Sequence, residues 1–176
     1  MYQGTKVRLR PLEKKHLPKC VVWLNDPEVT ETLSFSEPIS MEGEQRWYEN
    51  LLRDKSSKIY AIETVKGEHI GNVGLSDIDL HNRKAELGIF IGEKNLWGKG
   101  YGTEAVLLAI KLAFEGLNLN KVYLRTFKGN ERAKKCYEKA GFIKEGVLRQ
   151  DNFKNGKYID SLVYSVLAEE YFQGKK

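Results

Sequence analysis

Apolar and polar positions change period several times along this chain, and each change marks an element. From Lys6 to Leu12 basic and apolar residues alternate (Val7, Leu9, then Leu12 after Pro11), which predicts a first strand. Leu17 to Leu24 carries helix-spaced apolar points at Val21, Val22 and Leu24, and Asn25-Asp26-Pro27 breaks it. Ser40 opens a second helix with Glu42 and Glu44 in its first turn and Trp47, Leu51 and Leu52 as its apolar stripe. Strands are predicted over Ile59–Thr64, His69–Ile78 and Ala85–Ile91, joined by short turns into an antiparallel meander. Thr103 to Leu117 reads as a helix, apolar almost all round and therefore buried between layers. Val122–Phe127 then forms a strand parallel to the one before that helix. Asn130–Ala140 follows as a helix ended by Gly141, and Lys144–Gln150 with Lys157–Leu167 as a hairpin around Asn155-Gly156. The residues from Gln173 onward are expected to fray.

No repeat or linker divides the 176 residues, so a single domain over 1–176 is expected, with apolar residues at 41% and charged residues at 30% typical of a packed chain. Cys20 and Cys136 stand 116 residues apart, and the three histidines are scattered. That pattern excludes a disulfide framework, a Cys-x-x-Cys motif and a His-rich cluster, so no metal is expected. No apolar run reaches the roughly 18 residues of a membrane span, and no leader-like apolar core opens the chain. The expectation is a cytoplasmic protein with no membrane partner.

The net charge of +5 conceals an asymmetry. Residues 26–50 hold seven acids and one base, whereas residues 94–157 hold fourteen bases and six acids. Two solvated faces would account for this, and so would two ligands of opposite charge. A nucleic-acid partner is not expected, because the basic half lacks interleaved stacking aromatics and the acidic segment opposes it.

Candidate chemistry concentrates in Trp97-Gly98-Lys99-Gly100-Tyr101-Gly102-Thr103. Alternating glycines between a strand and a helix allow positive φ and close approach of a ligand. The free amides of such a turn and helix N-terminus suit a diphosphate. The string is neither a P-loop nor Gly-x-Gly-x-x-Gly, since Thr103 and Ala105 stand where the latter needs glycine. About thirty residues on, Asn130 can cap a helix that carries Ala133, Tyr137, Lys139, Gly141 and Phe142.

Together the two elements resemble the GNAT superfamily of N-acetyltransferases. The first resembles the acetyl-coenzyme A pyrophosphate motif Gln/Arg-x-x-Gly-x-Gly/Ala, with Trp97 departing from the usual Gln or Arg. The second resembles the family's Asn-x-x-Ala-x-x-x-Tyr-x-Lys-x-Gly-Phe helix. The Trp-Gly-Lys-Gly-Tyr variant is similar to the branch holding ribosomal-protein N-terminal and bacterial spermidine acetyltransferases. The resemblance implies an α/β (α+β) fold: a mixed, mostly antiparallel sheet of six to seven strands, splayed at its centre, with helices on both faces. It implies acetyl-CoA on Gly98, Lys99, Gly100, Tyr101, Gly102 and Thr103 with Trp97, Asn130 and Lys139, and a pantetheine arm beside Phe90 and Ile91. It makes Tyr137 the candidate acid toward the thioester sulfur. Glu86 is the candidate base, directly or through water, with Asp160 and Asp77 weaker candidates. Cys136 is not expected to form an acetyl-enzyme, because no histidine adjoins it in sequence.

The acceptor expected on this reading is a small cationic amine, a polyamine first, held by Glu28, Glu31, Glu37 and Trp47 on the acidic segment. A protein or peptide N-terminus, an aminoglycoside or an amino-sugar are the alternatives, and a homodimer or larger homo-oligomer remains open. A non-catalytic acyl-CoA sensor on this fold could dispense with Tyr137, so that residue favours an enzyme.

Overall fold

The computed structural model describes residues 2–34 and 37–174. Eight strands form one sheet: β1 (Tyr2–Gln3), β2 (Val7–Pro11), β3 (Lys58–Thr64), β4 (His69–Asp79), β5 (Lys84–Ile91), β6 (Lys121–Phe127), β7 (Ile143–Lys154) and β8 (Lys157–Leu167). Their order is β1-β2-β3-β4-β5-β6-β8-β7. The count exceeds the expected six to seven because β1 is a two-residue strand, too short to show a period in sequence. The helices are α1 (Leu17–Leu24), α2 (Pro27–Thr30), α3 (Met41–Arg53), α4 (Tyr101–Lys111), α5 (Glu131–Lys139) and α6 (Ala168–Gln173). A π-helical turn, Leu112–Gly116, extends α4.

Most boundaries follow the local chemistry. Ser40 caps α3 by accepting from the Gly43 amide at 3.0 Å, and Asn130 caps α5 by accepting from the Ala133 amide at 3.1 Å. Gly141 and Gly156 take the positive φ that ends α5 and turns the β7–β8 hairpin. Helix α6 lies in a segment for which the sequence predicts no element and ends at Gln173, where fraying is expected to begin. Tyr171 accounts for its order, packing on Phe114 with ring centroids 5.3 Å apart and donating to Glu115 at 2.7 Å. Lys175 and Lys176 lie outside the described residues. Among the described residues no helix is long and apolar enough to cross a membrane, and no group of three or more His, Cys, Asp or Glu could hold a metal ion.

Strand alternation builds two apolar layers. On β3, Ile62 joins the large core with α4, α5 and the strands, while its neighbour Ala61 joins a smaller cluster with Leu12, Leu17 and Tyr48 under α1 and α3. Helix α4 buries Ala105, Val106, Leu108, Ala109 and Ile110 and packs against β2, β4 and β5, as its near-uniform apolarity requires.

Every strand pair is antiparallel except β5–β6. That parallel pair spans only Lys84↔Lys121, Ala85↔Val122 and Glu86↔Tyr123. Beyond Glu86, β5 stays registered with β4 as far as Ile91, and β6 stays with β8 as far as Phe127. The sheet therefore opens into a wedge between residues 87–91 and 124–127.

A buried polar cluster lies under α1. His16 Nδ1 accepts from the Glu13 amide at 2.9 Å, so in the neutral ring Nε2 carries the proton. His69 Nε2 faces Asn72 Oδ1 at 2.9 Å, and the Asn72 amide donates to Cys20 Sγ at 3.2 Å. The two rings lie 4.7 Å apart, and among the described residues His16 Nε2 and His69 Nδ1 have no hydrogen-bond partner, the Glu63 carboxylate standing 3.6 Å from His16 Nε2. Burial is the main force lowering both histidine pKa values, with Lys15 assisting at His16 against Glu13 and Glu63, and His16 and Lys19 assisting at His69. Burial also pushes the Cys20 thiol up to about 11.

A histidine whose folded pKa is depressed binds protons more readily when unfolded. Stability should accordingly hold above about pH 6.5, the unperturbed histidine value, and fall as pH drops below it toward the folded pKa. Glu44, raised by burial, acts in the opposite sense nearer carboxylate pH. Thermal unfolding at pH 7.5 and 5.5 measures this: the midpoint should drop at 5.5, and His69→Gln should shrink the drop. Equal pH dependence in the variant and the parent would contradict the assignment.

Candidate active site

The wedge acquires its chemistry from the chain that leaves β5. After Ile91 comes a 3-10 turn, Lys94–Leu96, and then Trp97. The Trp97 indole Nε1 donates to the Ile91 carbonyl at 2.7 Å and latches the turn to the strand end. Gly98 and Gly100 take φ of 71° and 86°, values a β-branched residue would hold only under strain. Among the described residues the amides of 98–103 find no backbone acceptor, while Glu104 donates to the Gly100 carbonyl at 3.0 Å and starts α4. Nothing lies within 4 Å of a Cβ built on Gly98, so the approach to these amides is open. Six amides without a backbone acceptor, in this turn and at the positive end of α4, are what an anion cradle requires.

Trp97 does not supply the donor that Gln or Arg would. It carries one instead: the Arg132 guanidinium, from the second residue of α5, stacks over its ring at 3.7 Å from the centroid. The cation is thus delivered to the turn from another helix.

A cavity of about 570 Å³ runs from this turn through the wedge. Tyr137 lines it from α5, with its side chain largely buried. Burial, and secondarily Cys136, raise the phenol above its ordinary range, so it remains protonated at neutral pH. Cys136 lines the same wall; Thr103 Oγ1 approaches its sulfur at 3.5 Å, and burial raises the thiol. Phe90, Ile91, Asn130 and Lys139 all line the cavity.

Glu86 also lines the cavity, at the last paired position of β5, and Arg125 of β6 forks it with bonds of 2.9 and 3.0 Å. Asp151 on β7 lines the same end. Asp160 accepts from the Gln150 amide and pairs with Lys128, and Asp77 sits at the β4 irregularity with φ of 49°; neither lines the cavity.

The four acceptor residues expected on the acidic segment do not meet in this cavity. Glu28, together with Asp26, holds Lys94 at 2.8 Å. Glu28 and Glu31 border a second, shallower pocket that also contains Arg132 and Lys154. Glu37 and Trp47 line neither pocket. The physical reason is local neutralisation, because acids on α2 draw in the cations of the coenzyme-side turn and hairpin. Lys99 and Tyr101 also stay outside the cavity: the Lys99 carbonyl accepts from Lys6 Nζ at 2.7 Å, and the Lys6 ammonium lies over the Tyr101 ring.

Sequence reasoning missed Arg125, Arg132 and Asp151. A signal existed for Arg125, the one charged residue inside the otherwise uncharged stretch 122–127. The partners of Arg132 and Asp151 depend on long-range placement that no local pattern carries.

Comparison with known proteins decides the family. A family model for the acetyltransferase (GNAT) domain matches residues 6–143. The chain belongs to the GNAT acetyltransferases. It is 34% identical over 177 residues to the spermidine N(1)-acetyltransferase of Escherichia coli K12, covering 100% of this chain and 94% of that protein. The provisionally named ribosomal N-acetyltransferase YdaF of Bacillus subtilis is 39% identical over 110 residues, 62% of this chain and 59% of that one. The crystal structure of Vibrio cholerae spermidine N-acetyltransferase with CoA and spermine superposes with a TM-score of 0.90 at 28% identity, covering 96% of this chain and 99% of that chain. This acetyltransferase thus has the expected mixed sheet and uses acetyl-CoA. Its own cradle fits that coenzyme: the free amides of 98–103 suit the diphosphate, and Arg132, Lys135 and Lys139 give the cavity the positive charge an anionic ligand requires.

Proposed function

We propose that this acetyltransferase acetylates a primary amine of a small polycation of the polyamine class, which binds at the end of the cavity where Glu86 and Asp151 lie, opposite the coenzyme turn. The observation that carries the reading is one continuous cavity with a diphosphate cradle at one end, two carboxylates, Glu86 and Asp151, at the other, and the Tyr137 phenol in its wall. The end-to-end similarity to spermidine acetyltransferases supports it.

Bound acetyl-CoA supplies an acetyl group activated as a thioester. The residues do the rest. The cradle and Arg132 hold the diphosphate, and the unpaired edge of β5 at 87–91 offers backbone groups to the pantetheine amides. Tyr137, kept protonated, donates its proton at the sulfur position. An alkylammonium has a pKa near 10 and attacks only when neutral. Glu86 therefore takes the acceptor's proton directly or through water, and Arg125 fixes the orientation of its carboxylate. Asp151 holds a second ammonium.

One observation favours a second reading, the α-amine of a protein N-terminus. Arg125 neutralises Glu86, so this end of the cavity has mixed charge rather than a wall of acids, and the similarity to YdaF points the same way.

A panel of amines assayed for CoA release separates the two. Spermidine and spermine should turn over well above a basic peptide with a free N-terminus and a neutral amino-sugar. Turnover of the peptide alone would replace the polyamine reading with the second one, and turnover of the amino-sugar alone would end both.

The role of Tyr137 is tested separately. Tyr137→Phe should lower kcat by about 10²–10⁴-fold, the usual cost of a lost general acid, with CoA affinity by calorimetry nearly unchanged. A wild-type kcat with chemistry rate-limiting would remove Tyr137 from the mechanism.

A further inference from the structure

Glu104 is in the first turn of α4, beside the amides that receive a diphosphate. An acid there lowers the cradle's positive potential unless its charge is consumed elsewhere. The structure turns it away from the turn and offsets part of it with four hydrogen-bond donors. Glu104 Oε1 accepts from the Thr5 amide at 2.9 Å and the Thr5 hydroxyl at 2.7 Å, and Oε2 accepts from the amides of Lys6 and Val7, both at 2.7 Å. Burial pushes this carboxyl up, but the Thr5 hydroxyl and the three amides outweigh it and leave it below the usual range. All four donors come from a segment nearly a hundred residues away, which runs directly into the fully buried Val7 of β2.

The same segment returns to the turn. Lys6 Nζ donates to the Lys99 carbonyl at 2.7 Å and would lie 3.4 Å from a Cβ on Gly100. Glu104 and Lys6 thus hold the turn at two points, the acid at the helix side and the ammonium at the middle. The Lys6 charge restores the potential that Glu104 removes. Gly4 belongs to the arrangement, because a Cβ there would collide with the Glu104 carboxyl.

We propose that Glu104 and Lys6 form a brace, anchored in β2, that holds the 98–103 turn in its diphosphate-binding conformation. Glu104 acts as a positioning residue and Lys6 as its charge counterpart. The proposal depends on acetyl-CoA as co-substrate and is independent of which amine is acetylated.

The test is calorimetry of CoA binding together with steady-state kinetics and thermal unfolding, for Glu104→Ala, Glu104→Gln, Lys6→Met and Gly4→Ala. Small displacements of a positioned site can cost up to about 10²-fold. Glu104→Ala should weaken CoA by about tenfold or more and raise the acetyl-CoA KM in step, with kcat at saturating acetyl-CoA and the acceptor KM within about threefold. Glu104→Gln, which keeps one acceptor oxygen, should recover part of the affinity. Should Glu104→Ala fail to fold, Lys6→Met and Gly4→Ala carry the test, since both keep the Glu104 side chain, Lys6→Met leaving its carboxylate in place and Gly4→Ala only pushing it aside; both should weaken CoA several-fold. CoA affinity within twofold of the parent in Lys6→Met and Gly4→Ala would overturn the brace. So would a loss in which CoA affinity and kcat fall and the acceptor KM rises together with a drop in the unfolding temperature.

Discussion

Three residue pairs join β5 to β6, and the site exists because there are no more. Each strand has a long antiparallel partner on its outer side, β4 for β5 and β8 for β6. Those partners hold their strands on separate courses once the parallel contact ends at Glu86 and Tyr123. Unpaired backbone groups away from water cost about 1–3 kcal/mol each, so such an opening is stable only where solvent or a ligand with its own amides meets them. A pantetheine arm is such a ligand. The connections after β5 and β6 then bring the starts of α4 and α5 to the mouth of the opening, the places where a helix offers free amides.

Charge organises the surroundings of that opening through contacts between distant segments. The acidic stretch after α1 and the basic stretch after β5 meet each other, Asp26 and Glu28 on Lys94, with Arg132 and Lys154 bordering the same shallow pocket as Glu28 and Glu31. Lys154 also donates to the Leu33 carbonyl at 2.7 Å and ties the β7 hairpin to the loop after α2. Part of the apparent asymmetry in the sequence is therefore internal neutralisation. The cations left at the cavity, Lys135 and Lys139 with the stacked Arg132, are those an anionic coenzyme needs. Burial does complementary work at Tyr137, raising a phenol that is already protonated at neutral pH and disfavouring the phenolate further.

Much of this was legible in the sequence wherever a local rule sufficed. Gly98 and Gly100 announce positive φ, Asn155-Gly156 announces a hairpin, Ser40 and Asn130 announce caps, and strand-like runs joined by short turns announce the meander. Strand, turn and helix in order then place the coenzyme cradle. What stayed hidden depends on distance in space. Trp97 reads as a missing donor until the latch on Ile91 and the stack under Arg132 are seen. Glu28 and Glu31 read as acceptor ligands until Lys94 and Arg132 are seen beside them. Trp47, on the exposed side of α3, satisfies a helical stripe in sequence yet lines neither the cavity nor the shallower pocket. Strand β1 and helix α6 are short elements ordered by partners far along the chain, β2 for one and Phe114 with Glu115 for the other.

The claim on which the account turns is that CoA enters the opening between β5 and β6 and seats its diphosphate on the turn that follows β5. Amide hydrogen exchange with and without saturating CoA measures this directly. The account predicts slowed exchange at both 87–91 and 98–103, with the paired stretch 84–86 unchanged. Protection absent from both segments, or confined to the acidic stretch 26–50, would contradict it.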